Sequence, residues 1–241
     1  MNITAFLIVF VISLAGFAQG LTGFGFGLVA MPLLPLLMDF KDAVALTVLL
    51  NLVVCATTFL SIRGHYSWRQ GLWLVVGTGL GVPAGVYVLI RLNEGLLLRI
   101  LGGVMLVFCV NEFILARTKP AQLPPWLGFP FGLVSGSLSG AFNMGGPPAI
   151  AFSYSQVWSK EQIVAVLQIV FGLSTLLRLA LLGSAGFITK SLCVTGLWSI
   201  APMLVAILWG QRLFKQIPQN MLKQAVFLFL GVMGTKYLLF P

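Results

Sequence analysis

The hydrophobic positions of this chain come in long, nearly unbroken runs, without the alternation of a membrane β-barrel strand. Residues 43–62, 71–90, 95–115, 162–182, 186–210 and 220–240 are each apolar and bounded by short polar turns. About 20 apolar residues is the length a helix needs to cross a hydrocarbon core of roughly 30 Å. Two further runs are interrupted. Residues 3–38 as one helix would extend about 54 Å at 1.5 Å per residue, and glycines at 20, 23, 25 and 27 divide them. Each glycine costs about 1 kcal/mol against alanine inside a helix, so this cluster predicts unwound backbone. The arms on either side, about 16 residues and about 11 (Leu28–Met38), predict a hairpin that enters and returns without a full crossing. Residues 126–157 carry the matching interruption at 139–148, within the stretch Ser135–Pro148.

The order of these features repeats. Asn51 in VLLNL and Gln168 in AVLQI lie 117 residues apart; Gly71-Leu72-Trp73 returns as Gly196-Leu197-Trp198, and Gly85 as Gly210, both 125 apart. The longer loop Gly183–Ser191 absorbs the change in spacing. The expected fold class is an all-α polytopic membrane protein of two homologous halves, each beginning with a glycine-broken helical hairpin. Residues 1–116 form the first membrane repeat, 117–125 (RTKPAQLPP in Arg117–Pro125) the linker, and 126–241 the second repeat. Whether the hairpin crosses fully or re-enters, each half crosses an odd number of times, which gives inverted repeats; a single net crossing would give parallel ones. The inverted arrangement divides the basic residues 8 against 6, the parallel one 7 against 7. The excess favours inverted halves, with the linker side cytoplasmic and both termini outside.

Composition agrees with a membrane protein. Of 241 residues 59% are hydrophobic and 8% charged, with mean hydropathy +1.04, where a soluble domain carries about 25% charged residues. The net charge of +9 would suggest nucleic acid for a soluble chain, but here the basic residues sit mostly in short loops. Cys55, Cys109 and Cys193 lie in apolar runs and read as small hydrophobes, and His65 as a solvated loop residue. The segment ending Gly16-Phe17-Ala18 resembles a signal-peptide cleavage site without a basic n-region, and its place in the repeat keeps it in the mature protein. With no nucleophile–base pair, phosphate loop or metal cluster, neither an enzyme nor a cofactor is expected.

The interruptions are the candidate chemistry. Unwound backbone inside a membrane is tolerated where it lines a cavity or is buried in protein, and paired interruptions point to a transporter's substrate site. Free N–H groups at the start of a half-helix, with the positive dipole end, suit an anion. Pro147 and Pro148 fit the first turn of such a half-helix. The candidate substrate-binding residues are Thr22, Gly23, Gly25, Gly27, Asn51, Asn143, Gly145, Gly146, Pro147 and Gln168, with Ser137 and Ser139 as further donors. The competing readings are close helix packing for the glycines, an ordinary interhelical bond for Asn51 or Gln168, and packing for Phe24, Phe26 and Phe142. Thr57, Thr58, Ser174 and Thr175 read as back-bonding to their own helices and stay outside the site. No Asp, Glu or His lies deep in a span; Glu112 and Asp39 sit at span ends. Arg178, about five residues inside its span, reads as snorkelling to the interface, with an anion attractor as the alternative.

GLTGFGFGLVAMPLL in the first half and SGAFNMGGPPAIAF in the second resemble the TauE/SafE, or sulfite exporter-like, family of membrane permeases. The resemblance runs over essentially the whole chain, although GFGFG stands where the family often has GIGGG. It implies a permease for sulfite, a sulfonate or a related small organic anion in the cytoplasmic (inner) membrane of a prokaryote, with the two hairpins forming the translocation site by alternating access. The expected partners are that anion, the lipid bilayer and, if the chain oligomerises, a second copy in a homodimer, with no nucleic acid. The alternatives are a channel-like facilitated-diffusion protein for the same ions and a non-transporting subunit of a membrane complex.

Overall fold

The computed structural model describes residues 3–23, 25–60, 71–111, 122–214 and 219–241. Phe24, the basic loop with His65, Glu112 and linker residues 117–121 lie outside the described residues. The elements are α1 (Ile3–Thr22), α2 (Phe26–Leu33), α3 (Phe40–Leu60), α4 (Leu72–Arg91), α5 (Glu94–Val110), α6 (Gly128–Phe142), α7 (Gly146–Tyr154), α8 (Lys160–Ser184), α9 (Lys190–Phe214) and α10 (Gln219–Leu239). No strand occurs among the described residues. Five helices, α1, α3, α4, α8 and α9, contain segments long and apolar enough to cross a bilayer, and the chain is a multi-pass membrane protein. Local chemistry sets several helix starts. Asn93 caps α5 by accepting from Leu96 N–H at 2.9 Å. Ser159 and Gln162 form a reciprocal capping box at the start of α8, satisfying two N–H groups that the helix itself cannot.

The chain forms two compact units, each assembled from separate stretches of sequence. One comprises Met1–Thr47, Leu92–Arg117 and Ile188–Pro241; the other comprises Val48–Arg91 and Thr118–Phe187. In the first, α1 packs along α9, α5 along α10, and α2 against α1 and α10. The Tyr237 hydroxyl donates to the Pro32 carbonyl at 2.7 Å, tying α10 to α2. In the second, α4 packs along α6, and α8 packs on α4 and α7. Its main seam is built from glycines four residues apart. Gly77, Gly81 and Gly85 of α4 lie against α6 backbone, and Gly132, Gly136 and Gly140 of α6 against α4 backbone. Any Cβ there would overlap a main-chain atom. Without a hydrophobic driving force between helices in lipid, such close approach supplies the dispersion contact that holds them together.

The same packing corrects the expected first arm. α1 does not end at the first glycine of the cluster; it continues through Gly20 to Thr22 and is 20 residues long, enough to span by itself. A Cβ at Gly20 would collide with the Ile207 carbonyl of α9. This glycine therefore serves helix packing, and contacts with α9 offset its poor helix propensity. Gly27 is likewise helical, inside α2. The interruption is narrower than predicted, at residues 23–25.

Candidate functional site

The first break joins Thr22 to Phe26 within one compact unit. Gly23 has φ +80°, a left-handed backbone that side chains disfavour. Gln19, one turn earlier on α1, bridges the break: its Nε2 donates to the Gly23 carbonyl at 2.9 Å, and its Oε1 accepts from Phe26 N–H at 3.0 Å. The first N–H of α2, expected to face an anion, is thus taken by an amide of the same break. Thr22 Oγ1 donates to the Ala18 carbonyl at 2.8 Å, and Gly25 packs against Thr22 Oγ1 and Ala18.

The second break, in the other unit, has different chemistry. α6 ends on Asn143, the only described non-glycine residue with positive φ (φ 55°, ψ 26°). Asn tolerates this left-handed C-terminal position better than most residues. Ser135 Oγ donates to the Gly145 carbonyl at 2.6 Å. A Cβ at Gly145 would run into the Ser135 carbonyl and come within 2.8 Å of Ser139 Oγ, so only glycine lets the chain turn this closely against α6. α7 then begins at Gly146 with Pro147 and Pro148 in its first turn. The prolines start the helix as predicted, but they remove donors. Of these three positions only Gly146 retains an N–H, so backbone recognition here is weaker than the glycine-proline pattern implied.

Arg178 reaches this break from α8. The expectation that it snorkels outward is overturned: it is 0% exposed, and Nη1 donates to the Ser139 carbonyl at 3.0 Å. Asn143 N–H donates to the same carbonyl, also at 3.0 Å, so the guanidinium sits at the C-terminal end of α6. The partial negative charge there and the orphan carbonyls hold the cation inward. Among the described residues no carboxylate faces it; the Cys55 thiol on α3 lies within electrostatic reach. Among the described residues, three buried polar atoms have no hydrogen-bond partner: Arg178 Nε, Asn143 Nδ2 and Ser174 Oγ, the last one helical turn from Arg178. Such atoms are rare in native structures and call for a cause.

The other sequence candidates are distributed differently. Asn51 Nδ2 donates to Thr175 Oγ1 at 2.9 Å, and Thr175 also donates to the Phe171 carbonyl at 2.8 Å. Asn51 thus makes the interhelical bond that was its competing reading. Gln168 is buried on α8 two turns before Thr175. Ser139 enters through its backbone carbonyl, and Ser135, not Ser137, binds across the break. Thr57 back-bonds to Val54 as predicted. Gln19 and Ser135, which bond across the two breaks, were not among the sequence candidates; Ser174 was read as back-bonding and Arg178 as snorkelling, with an anion attractor as its alternative. No group of three or more metal-binding side chains occurs among the described residues.

Comparison with known proteins follows this geometry. The sequence model described as Sulfite exporter TauE/SafE matches residues 8–237. A protein of Cupriavidus necator named Probable sulfite/organosulfonate exporter TauE is 29% identical over 204 residues, covering 80% of this chain and 78% of that protein. No solved structure matches.

Proposed function

Because the chain belongs to the TauE/SafE sulfite exporter family, whose members are transporters and not enzymes, we propose that it is a permease for sulfite or an organosulfonate in a prokaryotic inner membrane, working by alternating access. The family match over residues 8–237 carries this reading, and the Cupriavidus relative's name supplies the substrate class. Two features of the fold support it. The glycine-rich stretches at residues 19–32 and 135–148 are each interrupted where main-chain and amide groups concentrate, and the second interruption carries unpartnered donors without an acid beside them. The inverted duplication is part of the proposal. Its support is the reciprocal helix pairing: α1 packs on the fourth helix of the second half (α9), and α6 on the fourth helix of the first (α4).

Proteoliposomes containing the purified chain and loaded with labelled sulfite or methanesulfonate test the reading. The expected result is protein-dependent efflux that unlabelled anion on the far side accelerates, as exchange through an alternating carrier requires. Efflux without that acceleration would replace the carrier with a channel. No flux of either anion would leave the non-transporting subunit.

A further inference from the structure

We infer that Arg178, with Asn143 Nδ2 and Ser174 Oγ, forms an oxyanion site that accepts a single negative charge, and so selects sulfonates and hydrogen sulfite over the sulfite and sulfate dianions. This deepens the permease reading and rests on it.

Arginine keeps its proton throughout the physiological range and has five N–H donors in a planar fork. In this protein Nη1 donates to the Ser139 carbonyl, while Nε has no partner among the described residues. Burying an unpaired cation is among the costliest arrangements in a protein interior. The end of α6 offsets it only in part, since a helix terminus presents roughly half an elementary charge. Two more unsatisfied groups accompany it, both able to donate: the amide N–H2 of Asn143, whose backbone N–H shares the Ser139 carbonyl with Arg178, and the hydroxyl of Ser174, one helical turn before Arg178 on α8. A purely structural arginine would be matched by acceptors; this one is accompanied by further donors, the complement of an oxyanion.

Charge balance sets the class of anion. One cation without an acid is neutralised by one negative charge. A dianion would leave an excess negative charge buried in apolar surroundings, the same penalty with opposite sign. Among the described residues, the surrounding elements offer no titratable group that compensates. α3 contributes the Cys55 thiol, within reach of Thr175 and Arg178. α6 has no ionisable side chain, and α7 has only exposed Tyr154. On α4, exposed Tyr87 and Arg91 pair with each other, the guanidinium 5.4 Å from the ring centroid. Lys160 and Glu161 open α8, about five turns from Arg178. Since Arg178 is 0% exposed, anion entry requires α6–α7 and α8 to separate locally, as an alternating carrier does.

Calorimetric titration of the purified full chain with sodium methanesulfonate, sulfite and sulfate, at fixed ionic strength and at mildly acid and mildly alkaline pH, tests the assignment. Methanesulfonate is a monoanion at both pH values and should bind equally well at each. Sulfite should weaken in the alkaline sample as hydrogen sulfite loses its proton. Sulfate should bind about tenfold or more weakly than methanesulfonate, a factor reasonable for an uncompensated buried charge. Arg178→Gln also removes the bond that ties α8 to the end of α6, so the decisive variant is Asn143→Asp, which supplies a carboxylate beside the guanidinium and should weaken methanesulfonate by about tenfold or more. Sulfate binding as tightly as methanesulfonate, pH-independent sulfite binding, unchanged binding by Asn143→Asp, or no saturable methanesulfonate binding to the folded protein would each overturn it. If one of these occurs while proteoliposomes still carry sulfite, the site assignment fails and the permease stands. If the charge series holds but no anion crosses, the permease reading fails and the site stands.

Discussion

The two breaks arise from similar stretches of sequence and end in opposite chemical states. At the first, Gln19 spends both ends of its amide on the interruption itself, donating to Gly23 and accepting from Phe26. At the second, Ser135 satisfies Gly145, but Asn143 Nδ2 is left over and a buried cation stands at the end of α6. A glycine-rich interruption is therefore not a binding site merely by being unwound. What matters is whether nearby side chains use up the backbone's hydrogen-bonding capacity or add to it. The first break is sealed by an internal clasp; the second retains donors.

Substitutions can break this contrast. The largest effect is expected from Gly145→Leu, because its Cβ would overlap the Ser135 carbonyl and press on Ser139 Oγ. Relief requires moving α6 backbone, at several kcal/mol. Folded yield measured by fluorescence-detected gel filtration should collapse, whereas Gly95→Leu, at a glycine whose Cβ would meet nothing within 4 Å, should be recovered normally. Gln19→Leu comes next. It keeps the volume but strands the buried Phe26 N–H, at about 1–3 kcal/mol for a buried group left unpaired, and frees the exposed Gly23 carbonyl. The melting temperature should fall, while methanesulfonate affinity of the folded fraction holds. Loss of affinity with an unchanged melting temperature would assign Gln19 to the site instead. The smallest stability change belongs to Asn143→Gly. Glycine accepts φ 55° without strain, and the substitution removes an unpartnered buried amide. Its melting temperature should stay the same or rise slightly while methanesulfonate binding weakens severalfold, a combination that separates a binding residue from a packing one.

How far these features could be read beforehand follows from the range of the physics involved. Apolar runs reveal spans because burial in lipid acts along consecutive residues, and the GGPP sequence marks the second break because proline and glycine act locally. Gly20 was misplaced at the break because its helical state depends on α9, nearly two hundred residues away. Arg178 was assigned outward because its distance from the span end permits snorkelling. Its inward direction depends on the Ser139 carbonyl of another helix, which no local pattern announces. Gln19 offered a usable signal, a polar residue one turn before a glycine interruption, as Ser139 is on α6. The unusual backbone at Asn143 and Gly145 was legible because their glycine and proline neighbours act locally.

The pairing of α1 with α9 also bears on how the protein is made. α1 is synthesised first, yet the helix that covers Gly16 and Gly20 is complete only at Phe214. At 5–20 residues per second, the ribosome takes roughly 10–40 s to supply it. α5 likewise waits for α10, whose Gly234 meets Gly102. Throughout that interval the first helix lies in the bilayer with its notched face against lipid or the insertion machinery. Biogenesis of this unit is thus largely post-translational, and a nascent chain arrested before α9 should present α1 to membrane quality-control proteases.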